Sequence, residues 1–121
     1  MSDTPRPDSL DVLTQVLRDF AAERDWDQFH SPKNLVMALS VEVAELMEHF
    51  QWLSVEEAAE LPLEKQEAVR DELADVLLYL TRLSDKLGVD LVAASYDKIK
   101  KNAAKYPADK ARGSMRKYTE L

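Results

Sequence analysis

Two short segments of this chain repeat one acidic pattern that could bind a metal ion. The first holds Glu42 and Glu45 and the second holds Glu72 and Asp75, each pair inside an apolar stretch. Residues three apart on an α-helix lie on one face, about 60° apart around the axis. In both segments the apolar residues fill the same arc, from about 20° to about 120° from the first carboxylate. Two such helices, packed through those arcs, would gather four carboxylates at the edge of a core.

Four carboxylates in a partly desolvated place repel one another and lose hydration, which costs several kcal/mol unless a cation offsets it. Ligands that are all oxygen, in a chain with no Cys and no suitably spaced His, favour Mg²⁺, or Mn²⁺ as a substitute, over Zn²⁺. The alternative is that these are ordinary solvated side chains at the margin of a core. One such pair favours that alternative, whereas two pairs in matching phase favour a metal site.

The composition is that of one compact, all-helical domain. The chain has 121 residues, 45% apolar and 32% charged, and only 2 glycines. It contains no apolar run of the roughly 20 residues that span a bilayer, and no signal-peptide core, so we expect no membrane association and a cytoplasmic location.

The net charge of −7 disfavours binding to polynucleotides, whose phosphates require a basic surface. It does not disfavour a metal-bound mononucleotide, because bound cations invert the local charge.

Capping signals and apolar periodicity predict four main helices with short connections and no strands, which is typical of a four-helix bundle. The predicted bounds are Leu10 to about Trp26, Lys33 to Trp52, a short piece over Val55–Glu60, Pro62 to Leu87, and Leu91 to about Lys105. We predict one helical domain over residues 9–106, a flexible N-terminal tail over 1–8 and a basic C-terminal tail over 107–121.

The fourth main helix carries a basic face in an otherwise acidic protein. Lys98, Asn102 and Lys105 share that face by their spacing and could hold phosphate oxygens. The alternative is a solvated face whose cations interact favourably with the C-terminal end of the helix dipole. A nearby metal site favours the first interpretation.

Aromatic residues are the other candidates for ligand binding. Trp26 and Trp52 are the only tryptophans, and flat rings of this kind can hold a nucleobase, although most tryptophans are simply core or interface residues. Tyr79 falls beside Glu72 on the helical wheel, where it could contact a ligand or hydrogen-bond a carboxylate.

These residues resemble a known family. The paired acidic motifs are similar to those of the all-α nucleotide pyrophosphohydrolases, the MazG-like group, and further stretches resemble its dCTP pyrophosphatase branch. Those stretches are Phe20 to Trp26, Gln28 to His30, Pro32, Asn34-Leu35, Phe50 to Trp52, Tyr106-Pro107 and Arg116 to Leu121.

The resemblance implies a MazG-like bundle that hydrolyses a deoxynucleoside triphosphate, most closely dCTP, to the monophosphate and pyrophosphate with Mg²⁺. It implies that the four carboxylates bind metal, that Trp26 and Trp52 bracket the base, and that His30 and Tyr79 also bind substrate. It places Lys98, Asn102, Lys105 and Tyr106 at the phosphate end. It further implies a homotetramer built as a dimer of dimers.

The mechanism expected from this resemblance is metal-assisted attack of water on the α-phosphate. One carboxylate, with Glu45 as the candidate, is expected to orient or deprotonate that water.

Leu17 stands where close relatives have a His near the base, and the linker between the second and third main helices is shorter than in animal relatives. The base preference is therefore open. The rivals are a dUTP or broad-specificity pyrophosphatase and a non-enzymatic acidic oligomerisation module.

Overall fold

The computed structural model describes residues 9–121, and every regular element in that range is helical. This confirms the predicted all-α class. The predicted N-terminal tail, residues 1–8, lies outside the described residues. The elements are α1 (Leu10–Glu23), a 3₁₀ turn (Asp27–Phe29), α2 (Pro32–Glu48), α3 (Val55–Ala59), α4 (Leu63–Leu87), α5 (Leu91–Lys105), α6 (Ala108–Ala111) and a second 3₁₀ turn (Tyr118–Glu120).

Serine side chains cap the starts of three helices, α1, α2 and α3. The hydroxyl oxygens of Ser9, Ser31 and Ser54 accept hydrogen bonds from backbone N–H groups three residues ahead. Ser54 also forms a capping box with Glu57, whose carboxylate accepts from the Ser54 backbone N–H at 2.9 Å. At the other end of α4, Gly88 adopts the left-handed conformation that ends a helix, with φ of 67°.

The second main helix is shorter than predicted. It ends at Glu48, because the backbone N–H groups of His49 and Phe50 donate to carbonyls only three residues back and tighten the chain into turns. Trp52 therefore lies in the connection to α3 rather than on a helix, and its side chain is exposed. The predicted end of that helix at Trp52 was wrong.

The chain divides into two compact units, the first ending at Gly88 and the second beginning at Val89. In the first unit α4 packs against both α2 and α1, and α1 also contacts the 3₁₀ turn Asp27–Phe29. Leu35 of α2 and Ala21 of α1 are almost fully buried. The acidic segments thus lie on α2 and α4, two helices that pack against each other.

The second unit contains α5, α6 and the C-terminal 3₁₀ turn. Inside it the ring of Tyr118 packs edge-on against Tyr106 with centroids 6.0 Å apart, and the Lys105 ammonium lies 5.0 Å from the Tyr118 centroid. The C-terminal segment therefore folds back onto the end of α5. Across residues 9–121, none of the helices is both long and apolar enough to cross a bilayer.

Candidate active site

The packing of α2 on α4 brings three of the four predicted carboxylates together. Glu42, Glu45 and Glu72 each offer one oxygen, and these three oxygens lie within 4.8 Å of one another. All three side chains are half-buried. Because the helices present their acidic pairs in matching phase, residues thirty positions apart in the sequence meet at one place.

The charges of this acidic cluster interact unfavourably in the absence of a cation. The closeness of the Glu72 carboxylate, partial burial, and the proximity of Glu45 and Asp75 raise the pKa of Glu42 to about 7. The Oε2 atoms of Glu42 and Glu72 are buried and have no hydrogen-bond partner among the described residues. Buried carboxylate oxygens normally find a donor, so these two are free for another kind of partner.

The donor set of the cluster fits a hard divalent cation. It consists only of carboxylate oxygens, which Mg²⁺, Mn²⁺ and Ca²⁺ prefer. Two oxygens bound to one Mg²⁺ at about 2.1 Å lie at most about 4.2 Å apart, close to the spacing found here. Small movements of three long side chains would close the difference. The cluster could therefore hold a metal ion.

An apolar cavity of about 260 Å³ lies between α1, α4 and the residues that flank the first 3₁₀ turn. Its lining is mostly aromatic and aliphatic with a few polar groups, as in many small-molecule sites. The lining residues are Leu17, Phe20, Ala21, Trp26, His30, Asp75, Leu78, Tyr79 and Arg82.

Asp75 connects the cavity with the acidic cluster. It does not supply an oxygen to the group of three, yet it lies close enough for its charge to raise the pKa of Glu42, and it lines the cavity as well. The predicted grouping of four carboxylates is thus observed as three together and a fourth beside them. One end of the site can take a cation and the other can take an apolar ring.

Three predicted binding residues, Trp26, His30 and Tyr79, line this cavity. The Trp26 ring packs edge-to-face on Phe20 with centroids 5.8 Å apart. Trp52 is not part of the lining, and its side chain is 86% exposed.

The predicted phosphate-binding residues lie in the second unit. Lys98, Asn102 and Lys105 are exposed on α5, and Tyr106 follows at its C-terminal cap. Lys105 and Tyr106 contact Tyr118, as described above, so two of the four have a partner within their own unit. Their role in substrate binding stays a prediction.

Arg82 is a polar residue of the cavity that the sequence interpretation missed. Its exposed fraction is only 7%, and its guanidinium donates to Asp27 and Asp85 and to a ring nitrogen of His30. Arg18 and Lys86 complete this charged cluster by pairing with Asp85 and Asp27 respectively. One signal was available: Asp75, Tyr79 and Arg82 recur at i, i+4 and i+7, which places them on one helical face.

The family model described as the MazG-like family matches residues 37–121. The chain belongs to this family. Curated relatives include dCTP pyrophosphatase 1 of Homo sapiens, 46% identical, and of Mus musculus, 44% identical; each match covers 98% of this chain and 70% of the relative. These relatives place it in the dCTP pyrophosphatase branch.

The fold also matches that of a solved pyrophosphatase structure. A pyrophosphatase from Archaeoglobus fulgidus superposes on this MazG-like chain with a TM-score of 0.80 and 38% sequence identity. The match covers 88% of this chain and 98% of the archaeal one. The resemblance inferred from the motifs is thereby confirmed.

The charged cluster of this MazG-like protein should make its stability depend on pH through Asp85. Hydrogen bonding and the charge of Arg18, aided by Arg82 and Lys86, hold the pKa of Asp85 below its ordinary value. Asp85 therefore contributes stability above the unfolded pKa of about 3.9, and this contribution is lost as the pH falls through the lower folded value. Asp85→Asn should lower the free energy of unfolding at pH 7 by about 1.5–3 kcal/mol.

Urea denaturation across a pH series measures this effect. The difference in the free energy of unfolding between wild type and Asp85→Asn should have its full size at neutral pH. It should disappear in strong acid, where Asp85 is protonated. Asp71→Asn, at an exposed position of the same helix, is the matched control. A gap that stays constant down to the acid limit would contradict the assignment.

Proposed function

We propose that this protein is a Mg²⁺-dependent pyrophosphohydrolase that converts dCTP, and modified forms of dCTP, to the monophosphate and pyrophosphate. Such an enzyme would remove these triphosphates from the nucleotide pool. Two findings support the proposal: the relatives of the same branch are named dCTP pyrophosphatase 1, and the acidic cluster adjoins an aromatic cavity through Asp75. The second observation carries the proposal, because a metal-bound triphosphate attached to a base needs both an acidic cluster for the metal and a cavity for the base.

In this mechanism Glu42, Glu45 and Glu72, with Asp75 beside them, would hold Mg²⁺. When bound, the ion offsets the negative charge of the triphosphate and increases the acidity of a nearby water. Glu45 is the proposed residue that orients the attacking water or accepts its proton. The oxygen of that water forms a bond to the α-phosphorus as the bond from this phosphorus to the bridging oxygen breaks, and pyrophosphate leaves with the electron pair.

The cavity residues bind the base in this proposal. Trp26 supplies a face for stacking, and His30 and Tyr79 supply polar atoms at the edge of an otherwise apolar space. Trp52 is proposed to cover the second face of the base; its exposure leaves the ring available for this contact. Lys98, Asn102, Lys105 and Tyr106 are proposed to contact the phosphates, for which the three exposed positions on α5 offer two ammonium groups and an amide.

Chromatographic analysis of the products formed from dCTP and Mg²⁺ tests the activity directly. We expect dCMP and pyrophosphate in equal amounts. Glu45→Ala or Asp75→Ala should abolish turnover while the helical circular dichroism signal stays unchanged, because both carboxylates are half-buried at the site and neither is in the core. Glu48→Ala, three residues further along α2 and exposed, should retain activity.

Product analysis and calorimetry together separate the rival functions. Formation of dCDP and inorganic phosphate, or wild-type rates in the Glu45 and Asp75 variants, would refute the mechanism. Equal rates on triphosphates of all bases would favour a broad-specificity pyrophosphatase, and faster hydrolysis of dUTP would favour a dUTP enzyme. Absence of heat on titration with Mg²⁺ and a non-hydrolysable dCTP analogue would leave the non-enzymatic module.

Metal binding can be tested without turnover. Mg²⁺ at a hundred times its dissociation constant should stabilise the wild-type protein by about 2.7 kcal/mol, raising the melting temperature. Glu72→Gln should lose most of this gain. Without Mg²⁺ it should melt at least as high as wild type, since one mutually repelling carboxylate has been removed.

The control for this measurement is Glu67→Gln, which removes an exposed carboxylate of α4 outside the cluster. It should keep the full response to Mg²⁺. An equal response in Glu72→Gln would show that the ion binds elsewhere.

We also propose that four copies of the chain form a helical-bundle assembly, a dimer of dimers. An apolar stripe on α4, made of Leu73, Leu77 and Leu80, is 36–54% exposed in the single chain. A matching stripe on α2, made of Val36, Val43 and Met47, is 47–58% exposed. The stripe on α4 lies about 80–140° around the helix axis from Glu72, and the stripe on α2 lies about 100–140° from Glu42, so self-association could cover both without closing the site.

Light scattering after size-exclusion chromatography should give a mass four times that of the chain. The double variant Leu73→Gln and Leu77→Gln should shift the protein to smaller species, since each change puts a polar amide into the apolar contact. Leu63→Gln, also exposed on α4 but outside the stripe, should leave the mass unchanged. A wild-type protein that elutes as one chain would refute the assembly.

A further inference from the structure

The ring of His30 is tied to a buried arginine. The Nε–H of Arg82 donates to Nδ1 of His30 at 3.1 Å, across 52 positions of sequence. Both side chains line the apolar cavity. His30 is half-buried, and its Nε2 makes no hydrogen bond to any other residue in the described range. Nε2 is therefore the ring nitrogen left for a ligand.

This contact determines where the ring carries its hydrogen. A guanidinium is always protonated and can only donate, so Nδ1 of His30 must be the acceptor and must lack a hydrogen. The neutral ring then has its hydrogen on Nε2. The tautomer is assigned from this hydrogen bond.

Arg82 cannot easily turn away from His30, because carboxylates hold the rest of its guanidinium. Nη1 donates to Asp85 at 3.2 Å, and Nη2 pairs with Asp27. Asp85 is in turn bound by Arg18, and Asp27 by Lys86 at 2.6 Å. Each of the three guanidinium nitrogens of Arg82 thus has its own acceptor, which fixes the plane of the group.

We propose that Arg82 is a positioning residue that holds His30 as a hydrogen-bond donor, with its Nε2–H available to an acceptor atom of the bound base. The proposal rests on the proposed function for the identity of the ligand. The Watson–Crick edge of cytosine carries two acceptors, O2 and N3, and a fixed donor complements either of them. Arg82 would then influence affinity for the base through His30.

The charge state of the ring agrees with this role. Partial burial lowers the pKa of His30, and the charges of Arg82 and Lys86 lower it further, against an opposing effect of Asp27. The ring is consequently neutral at neutral pH, so its tautomer, rather than its charge, decides which nitrogen donates.

Two substitutions separate the hydrogen bond to His30 from the ion pairs of Arg82. In Arg82→Gln the amide nitrogen takes the place of Nε in the chain of atoms, so it can still donate to Nδ1, while both ion pairs are lost. In Arg82→Met a methyl group takes that place, so the donor is lost along with the ion pairs. Asp27 and Asp85 keep Lys86 and Arg18 as partners in both variants.

Long-range ¹H–¹⁵N NMR spectra of the free protein, at a pH well above the ordinary histidine pKa of about 6.5, report the tautomer. Wild type and Arg82→Gln should show His30 with its hydrogen on Nε2, and Arg82→Met should show a substantial share on Nδ1. His49, the only other histidine, is the internal reference and should not change. A wild-type His30 with its hydrogen on Nδ1 would overturn the proposal.

Steady-state kinetics with dCTP supply the second readout. Arg82→Met should raise KM about tenfold with kcat within about twofold, and Arg82→Gln should recover most of that loss. In a His30→Phe background, Arg82→Met should add no further rise in KM, because its effect acts through the histidine. Arg18→Met removes a guanidinium from the same charged cluster without touching His30 and should keep the wild-type KM.

Each failure has a distinct meaning. If Arg82→Met keeps both the tautomer and KM, or if Arg82→Gln is as impaired as Arg82→Met, Arg82 only stabilises the fold and the proposal is wrong. If the wild-type protein leaves dCTP intact, the proposed function fails, while the NMR spectra of the free protein still decide the tautomer.

Discussion

The packing of α2 against α4 in one rotational phase is the constraint on which the rest of this structure depends. It places Glu42, Glu45 and Glu72 within reach of one another and leaves two of their oxygens buried with no donor from residues 9–121. Such an arrangement is unfavourable by itself, as the raised pKa of Glu42 indicates. The cluster is understandable if a cation supplies the missing favourable interaction.

Local signals in the sequence predicted the helices and the acidic part of the site. Serine caps, the capping box at Ser54 and the glycine at position 88 act within one turn, so short stretches suffice to read them. The acidic pairs could also be predicted to meet, because helical periodicity fixes which residues share a face. The early end of α2 was not predictable in this way, since apolar residues continue past Glu48 into the turns that follow.

The charged cluster around Arg82 could not be predicted from local sequence patterns, for a different reason. Its partners Asp27 and His30 lie 55 and 52 positions away, at the start of a short 3₁₀ turn and directly after its end. The approach of this turn to α4 depends on how α1 packs. Periodicity places Arg82 on the same face as Asp75 and Tyr79, but it does not say what that face meets. A buried arginine can be recognised only once the tertiary structure shows that its charge is compensated.

The face of α4 that carries Asp75, Tyr79 and Arg82 has two chemically different ends. These ends favour one orientation of the nucleotide that is proposed to bind there. Glu72 and Arg82 are ten residues apart on α4, or about 15 Å along the axis. The acidic end repels bare phosphates and accepts them only together with cations. At the other end the three nitrogens of Arg82 already have acceptors, so the cavity receives a neutral histidine donor rather than a free positive charge. A triphosphate with its metal is therefore favoured beside the carboxylates, and the uncharged base is favoured beside His30.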